Sequence, residues 1–246
     1  MGYYRAQFYY SESSLFNFSV TRGVRFLILL NFAIFIVQLL LGLSISILIS
    51  TSINLLPTLF SKLPVLSSNS LIALYFGFYI PNFLRGMIWQ PITYQFLHMT
   101  LSHLFFNTLW LFVFGPEVEL YLGRKKFYIF YIVSGSLAVL ANFVPYVLTG
   151  NHSPVIGASG SVMAVLMAFA YLDPEREFFL FPLPIPINAR GIVLLVIVLN
   201  LVYALGESNQ SVITHLLGLA VGYLFILLEY RGYLYKFWRM LGIQGF

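Results

Sequence analysis

Long apolar segments alternate with short polar ones along the whole chain. A bilayer core about 30 Å thick requires roughly 20 apolar residues for each helical crossing, and this length predicts six membrane-spanning helices. The predicted spans are approximately residues 24–50, 94–114, 127–148, 155–171, 191–205 and 211–229. They define a membrane domain over 24–230, preceded by a short leader at 1–23 and followed by a short tail at 231–246. The pattern therefore predicts an all-α membrane protein.

The connection between the first two spans, residues 51–94, has a different pattern. It contains four prolines and is rich in aromatic residues, with the cluster Tyr75–Tyr79 and Trp89. The prolines interrupt it too often for a crossing helix, yet it is too apolar to lie in bulk water. Aromatic residues concentrate where a membrane meets water, so we expect this connection to lie in the membrane interface.

Composition leads to the same class of protein. Of the 246 residues, 60% are hydrophobic and only 9% are charged, whereas a soluble domain has about 25% charged residues. The net charge of +5 comes from scattered basic residues, which argues against nucleic acid as a partner. The chain has no cysteine, which excludes disulfides, a thiol nucleophile and a Cys-ligated metal site. The first apolar run is too long for a signal peptide, so we expect a retained anchor.

Basic residues predict the orientation of the spans. If the N-terminus lies inside, only Lys62 and Arg85 fall on the outer side. The other basic residues then fall on inner segments, at Arg5, Arg22, Arg25, Arg124, Lys125, Lys126, Arg176, Arg190, Arg231, Lys236 and Arg239. Cytoplasmic segments carry the excess of Lys and Arg, so both termini are expected in the cytoplasm and the protein in the cell membrane.

Polar side chains recur at one depth of the predicted bundle. Spans two, four and six all run from outside to inside in this topology. His98 and His103 are expected about one and two turns into span two, while Ser159 and His215 are each about one turn into spans four and six. Polar groups inside a membrane are costly and usually face the bundle interior or a water-filled cavity. Their common depth predicts a functional site near the outer surface.

Helical periodicity separates the two histidines of span two. His103 and Asn107 are four residues apart and share a helix face. His98 precedes His103 by five residues and is therefore rotated by about 140°. We expect His103 and Asn107 to act together, and His98 to have a structural role, holding the first loop through a backbone hydrogen bond.

Small residues predict a close contact between spans four and six. His215, Gly218 and Gly222 fall on one stripe of span six. Span four has small residues at Gly160, Ser161, Ala164 and Ala168. Small residues let helix backbones approach closely in membranes, and this contact would bring His215 to Ser159.

These groups are suited to acyl transfer. A serine hydroxyl is a weak nucleophile until a base takes its proton, and His215 is the candidate base for Ser159. No Asp or Glu lies at the outer depth of any predicted span, so we expect a Ser-His dyad with no carboxylate to orient the base. The Asn107 amide, the His103 imidazole and the backbone N–H of Ser159 could stabilise the oxyanion.

Four short motifs occur along the chain between about residues 85 and 225. They are His98-x4-His103-x3-Asn107, Gly115-x3-Glu119-x3-Gly123, Gly157-Ala158-Ser159-Gly160 and His215-x2-Gly218-x3-Gly222. Together with a long first loop that ends near Trp89, they resemble the rhomboid family of intramembrane serine proteases. Each motif alone is weak, but their order and their placement on the predicted spans make the resemblance specific.

The resemblance implies a six-helix rhomboid-like bundle with a water-accessible cavity that opens to the outer side. Ser159 would be the nucleophile, His215 the general base, and His103, Asn107 and the Ser159 N–H the oxyanion donors. The supporting residues would be Gly157, Gly160, Gly218, Gly222 and His98. Family substrates are single-span membrane proteins cut in or near their transmembrane segment, and no metal or cofactor is required. The fifth span is the family's usual candidate for a lateral gate.

Three positions bear on whether the resemblance extends to activity. The family often has arginine after the tryptophan of the first loop, where this chain has Gln90. An aromatic residue commonly follows the serine by one turn and packs on the base, where this chain has Met163. Inactive relatives lose the serine or histidine or place proline before the serine, whereas this chain has Ala158 there.

Other interpretations stay open at this point. Ser159 could be a helix-packing serine, and His215, His103 and Asn107 could be interhelical hydrogen-bonding residues. His152 in the outer loop is expected to be solvated, with the alternative that it is the base. For the whole protein, the rivals to a protease are a non-catalytic rhomboid-like protein that binds or escorts membrane clients, and a transporter or channel.

Overall fold

The computed structural model describes residues 20–55, 68–150, 153–179, 186–205 and 210–243. Within these residues the chain is predominantly helical. The helices are α1 (Arg22–Leu55), α2 (Ser68–Phe76), α3 (Ile80–Leu84), α4 (Gln90–Thr93), a 3-10 helix (Tyr94–Phe96), α5 (Leu101–Leu122), α6 (Arg124–Leu140), α7 (Phe143–Thr149), α8 (Ser159–Leu172), α9 (Ala189–Ala204), α10 (Gln210–Tyr230) and α11 (Tyr235–Met240). Two short antiparallel strands, β1 (Glu177–Phe179) and β2 (Pro186–Asn188), lie between α8 and α9.

Several of these helices are apolar and long enough to cross a membrane. Among the described residues, three segments meet that criterion by length and composition: Arg22–Gly42, Arg124–Thr149 and Ser211–Tyr230. A fourth crossing results if the short helices over Gln90–Phe96 and α5, which meet at 97°, form one bent span. Helices α8 and α9 are apolar but shorter. The protein is a multi-pass membrane helix bundle, and the count of six crossings stays a prediction.

The helix that corresponds to predicted span two begins later than expected. Instead of starting near residue 94, α5 starts at Leu101 and continues to Leu122. The hydroxyl of Thr100 accepts a hydrogen bond from the His103 backbone N–H at 3.1 Å, which satisfies one of the free donors at the helix start. Tyr94 and Leu97, which precede it, are buried in short turns, and hydropathy does not distinguish such turns from the first turns of a membrane helix.

The motif around Glu119 lies inside α5 rather than after it. The Glu119 carboxylate is buried and accepts hydrogen bonds from the backbone N–H of Gly23 at 2.9 Å and of Val24 at 2.8 Å, and from the Thr21 hydroxyl. The first N–H groups of a helix have no partner within the helix. Glu119 therefore caps α1 and joins it to the C-terminal end of α5.

The connection between α1 and α5 is attached to the segment that precedes α8. Phe78 and Val155 exchange two backbone hydrogen bonds, each 2.9 Å long. Residues 56–67 of the predicted interfacial loop lie outside the described residues. The described part of the connection is thus bonded to the segment just before Ser159.

Gln90 has a structural role in the same connection. Its buried side chain donates to the Leu74 carbonyl at 2.8 Å and accepts from the Tyr79 backbone N–H at 3.1 Å. The neighbouring Trp89 donates its indole N–H to the Tyr75 carbonyl at 2.9 Å. The amide at position 90 thus holds the connection together, with one group that donates and another that accepts.

Helix α8 lies inside the described bundle, where it packs against α5, α6, α9 and α10. Most of its residues are buried, among them Val162, Val165, Leu166 and Phe169, and none is fully exposed. A helix that is apolar on every side is suited to such a central position. The bundle therefore encloses α8 and leaves its N-terminal end, which carries Ser159, at one surface.

Candidate active site

Ser159 is the first residue of α8, not one turn inside it as the sequence suggested. It is partly exposed, and the preceding Ala158 provides no side-chain cap. The first N–H groups of a helix have no intrahelical partner and lie at the positive end of the helix dipole. The Ser159 backbone N–H is therefore a donor at the same end as its hydroxyl. Hydropathy could not reveal this, because Pro154–Ala158 is as apolar as the helix that follows.

Gly157 allows a close approach of α5 to the turn before Ser159. Its φ angle is 124°, a conformation that side-chain-bearing residues rarely adopt. A Cβ atom placed on it would lie 2.6 Å from Cε1 and 2.7 Å from Nε2 of His103, and 3.9 Å from Nδ2 of Asn107. The imidazole and amide groups that the sequence paired on one helix face therefore both face this turn. Asn107 donates one N–H to the His103 carbonyl at 3.1 Å, and its second N–H is a further donor.

His98 lies in the connection before α5, and not one turn inside a span. Its backbone forms two hydrogen bonds with the buried Gln38 side chain of α1: Gln38 donates to the His98 carbonyl at 2.7 Å and accepts from the His98 N–H at 3.1 Å. These bonds attach the backbone of His98 to α1, whereas the expected role of His98 in holding the first loop stays a prediction. Its ring lies edge-to-face against His103 at 5.1 Å between centroids.

Helices α8 and α10 meet through small residues, as the sequence predicted. A Cβ atom on Gly218 would collide with the Gly160 carbonyl, and one on Gly222 with the Ala164 carbonyl. On the facing helix, a Cβ atom on Gly160 would lie 3.1 Å from the Thr214 methyl group. The turn that begins α8 therefore packs against the turn of α10 that carries His215.

This packing places Ser159 and His215 in adjacent turns of neighbouring helices. Within the part of the chain that the structure describes, no direct hydrogen bond joins the two side chains. Catalytic hydrogen bonds are often long in enzymes without substrate and tighten when substrate binds. Met163, one turn after Ser159, lies on the face of α8 that packs against α10. Its Cβ atom is 3.2 Å from the position that a Cβ on Gly218 would take.

His215 has a partner that the sequence analysis missed. Its Nδ1 atom lies 2.8 Å from the side-chain oxygen of Asn200 on α9. The Asn200 amide N–H in turn donates to the Val196 carbonyl at 2.8 Å. An amide within the otherwise apolar sequence of α9 was the available signal.

Behind Ser159, a second polar network fixes the turn that precedes α5. The Ser161 hydroxyl donates to the Gln95 side-chain oxygen at 2.7 Å, and the Gln95 amide donates to the Pro91 carbonyl at 2.8 Å. The buried Tyr94 hydroxyl donates to the Gly135 carbonyl at 2.6 Å. The predicted small residue Ser161 is thus part of a hydrogen-bonded support for α8.

Metal-binding clusters of three or more His, Cys, Asp or Glu residues do not occur in the described ranges. His152, the alternative base, lies outside those ranges.

Comparison with known proteins identifies relatives of this arrangement. Residues 85–232 match the family model of the Rhomboid domain. The rhomboid protease GluP of Bacillus subtilis (strain 168) is 32% identical over 142 residues, which are 56% of this chain and 25% of GluP. The putative rhomboid protease YdcA of the same strain is 27% identical over 140 residues, 57% of this chain and 66% of YdcA. The rhomboid protease GlpG of Salmonella choleraesuis (strain SC-B67) is 33% identical over 94 residues, 38% of this chain and 32% of GlpG. The chain thus matches only part of each relative's length.

Proposed function

Because this chain belongs to the rhomboid family, we propose that it is an intramembrane serine endopeptidase that uses Ser159 as nucleophile and His215 as general base. The observation that carries the proposal is the convergence of four polar groups at the start of α8. The Ser159 hydroxyl, the His103 ring and the Asn107 amide lie around the Gly157 turn, and α10 presents His215 from the other side. Polar groups clustered in a membrane bundle mark functional sites.

The geometry supports a two-step acyl transfer. The Ser159 hydroxyl oxygen attacks the carbonyl carbon of the scissile peptide bond while Nε2 of His215 takes the hydroxyl proton. The resulting oxyanion accepts hydrogen bonds from the Ser159 N–H, the Asn107 amide and the His103 ring. His215 then gives the proton to the leaving amine, the C–N bond breaks, and an acyl-enzyme forms. Water, deprotonated by His215, hydrolyses the ester and restores Ser159.

The substrates proposed are single-span membrane proteins cut in or near their transmembrane segment, with no metal or cofactor. An extended backbone is required for attack, and a helix has its carbonyls engaged in hydrogen bonds. Segments with small or helix-breaking residues therefore unwind into the site most readily. The lipid bilayer is the medium through which such a substrate reaches α8.

Charge supports the proposed orientation, with the active site near the outer face of the cell membrane and both termini in the cytoplasm. At the end of the bundle opposite Ser159, Lys126 at the start of α6 pairs with Glu229 at the end of α10 at 2.6 Å. Arg190 at the start of α9 pairs with Glu175 at 2.9 Å. Basic residues concentrate on the cytoplasmic side of membrane proteins, so this end of the bundle is assigned to the cytoplasm.

Cleavage by purified protein tests the proposal. We expect the wild type to cut a single-span substrate in detergent, and Ser159→Ala and His215→Ala to be inactive because each removes one half of the dyad. Ser211→Ala, at an exposed position near the start of α10, is a matched control that should retain activity. Measurement of cleavage by gel and mass spectrometry would also locate the cut relative to the membrane segment.

A reactive probe separates an inactive enzyme from a wrong substrate. A fluorophosphonate should label the wild type at Ser159 and fail to label Ser159→Ala. Labelling without cleavage would indicate that the test substrate is wrong. The absence of both labelling and cleavage would overturn the proposal. It would favour the non-catalytic protein that binds or escorts membrane clients.

A further inference from the structure

The amide of Asn200 lies in a helix that is otherwise strongly apolar. Between Gly191 and Ala204, α9 has aliphatic residues at every position except Asn200 and Tyr203. A polar side chain in a membrane helix is costly unless it finds a partner. Asn200 satisfies both ends of its side chain, with the Val196 carbonyl on one side and His215 on the other.

These two contacts determine which way the amide points. A backbone carbonyl only accepts hydrogen bonds, so the group 2.8 Å from the Val196 oxygen must be the NH2 group of Asn200. The side-chain oxygen of Asn200 is then the atom that faces Nδ1 of His215 at 2.8 Å. A flipped amide would place two acceptors against each other at Val196.

The orientation of the amide in turn determines the tautomer of His215. The Asn200 oxygen can only accept, so Nδ1 of His215 must carry the proton. A neutral imidazole has one N–H and one lone pair, and the lone pair therefore lies on Nε2. Nε2 is the atom that must accept the Ser159 proton.

We propose that Asn200 is a positioning residue for the base: it holds His215 in the tautomer with the proton on Nδ1 and aims Nε2 towards Ser159. This inference rests on the proposed function, since it assigns a role within the same dyad. The hydrogen bond also strengthens when His215 becomes imidazolium, because a charged donor forms a stronger bond than a neutral one. Asn200 therefore favours the protonated state that forms during attack.

Met163 makes such a partner more important in this chain. In the resemblance drawn from the sequence, an aromatic residue at this position would pack on the base. A flexible thioether holds a ring less firmly than a stacked aromatic side chain does. In this chain the directional constraint on His215 comes from α9 instead of from α8.

The test compares two variants of Asn200 with a neighbouring control. Asn200→Leu removes the acceptor, and we expect kcat to fall by about 10–100-fold, as for other groups that orient a ligand or base, with KM unchanged. Asn200→Asp keeps an acceptor oxygen for Nδ1–H and should recover most of the lost kcat. Leu199→Ala, at a lipid-exposed position, should match the wild type in both parameters.

The tautomer itself can be read by 15N NMR of histidine-labelled protein. The wild type should give a His215 signal with the proton on Nδ1, and Asn200→Leu should shift the population towards Nε2–H. An unchanged kcat in Asn200→Leu, or a lower kcat with an unchanged tautomer, would overturn the positioning role. If the wild type itself fails to cleave or to label, the proposed function fails, whereas the NMR comparison still decides whether Asn200 sets the tautomer of His215.

Discussion

Helix α10 contacts α8 and α9 in different ways. Against α8, the glycines at 218 and 222 let the backbones touch, and no side chain separates the two helices there. Against α9, one hydrogen bond between described side chains joins the two helices, from His215 to Asn200. The first interface is set by steric fit, whereas the second includes a directional polar pair.

The two halves of α9 also differ. Its buried residues, Ala189, Ile192, Val193 and Val196, all lie in the half next to β2. Beyond them, Leu199, Leu201, Val202 and Tyr203 are exposed. A helix segment with few buried contacts has a low free energy of local opening, so the half of α9 that contains Asn200 is the more easily displaced.

The proposed activity has two different structural requirements. The nucleophile and the base must keep a fixed distance, which the α8–α10 contact provides, whereas a membrane substrate must reach them from the lipid. The half of α9 beyond Val196, part of the span that is the candidate gate in the family resemblance, is the loosely packed element. Because Asn200 belongs to it, displacement of this half would also release His215 from its hydrogen bond.

The largest effect is expected from a side chain at the α8–α10 contact. In Gly222→Val, the new Cβ would collide with the Ala164 backbone, which cannot move without displacing α8. We expect loss of several kcal/mol of stability, beyond the range of about 1–3 kcal/mol that is usual for overpacking, because the obstacle is backbone. Ala220→Val places the same side chain on the exposed side of α10 and is the matched control. Thermal unfolding in detergent measures both, and equal midpoints would refute a tight α8–α10 contact.

A smaller effect is expected in the buried half of α9. Ile192 is 2% exposed, and Ile192→Ala should cost about 2 kcal/mol, the low end of the range for such changes in water-soluble cores. The lower value is expected because lipid is as apolar as the side chain, so only packing is lost. Leu194→Ala, at an exposed position of the same helix, should leave unfolding unchanged. A similar loss in both variants would show that the two sides of α9 are packed alike.

The features predicted correctly from sequence were those that depend on repeated spacing. The small residues of α8 and α10 and the pair His103–Asn107 follow from helical periodicity, which the fold preserves. The errors concern single residues. The start of α8 at Ser159 follows the apolar stretch 154–158, where hydropathy gives no boundary, and the start of α5 at Leu101 follows short turns that hydropathy does not distinguish from helix.

Asn200 and Glu119 show a second reason for the errors. The role of each depends on a partner far along the chain or on another helix: Glu119 caps α1, and Asn200 binds His215. Neither the spacing nor the hydropathy of a single segment contains that information. Polar residues within apolar helices were nevertheless the available signal, since burial without a partner would be costly.

The smallest effect is expected in the local dynamics of α9. Removing the hydrogen bond in Asn200→Leu should lower the opening free energy of residues 198–204 by about 1 kcal/mol, the usual net value of such a bond, while α8 is unaffected. Amide hydrogen exchange in detergent would then be about fivefold faster over 198–204 and unchanged over 159–172. Leu199→Ala, which keeps the bond, controls for altered contact with detergent. Equal acceleration of both segments would mean that α9 and α8 open as one unit, and the distinction between the two faces of α10 would then be wrong.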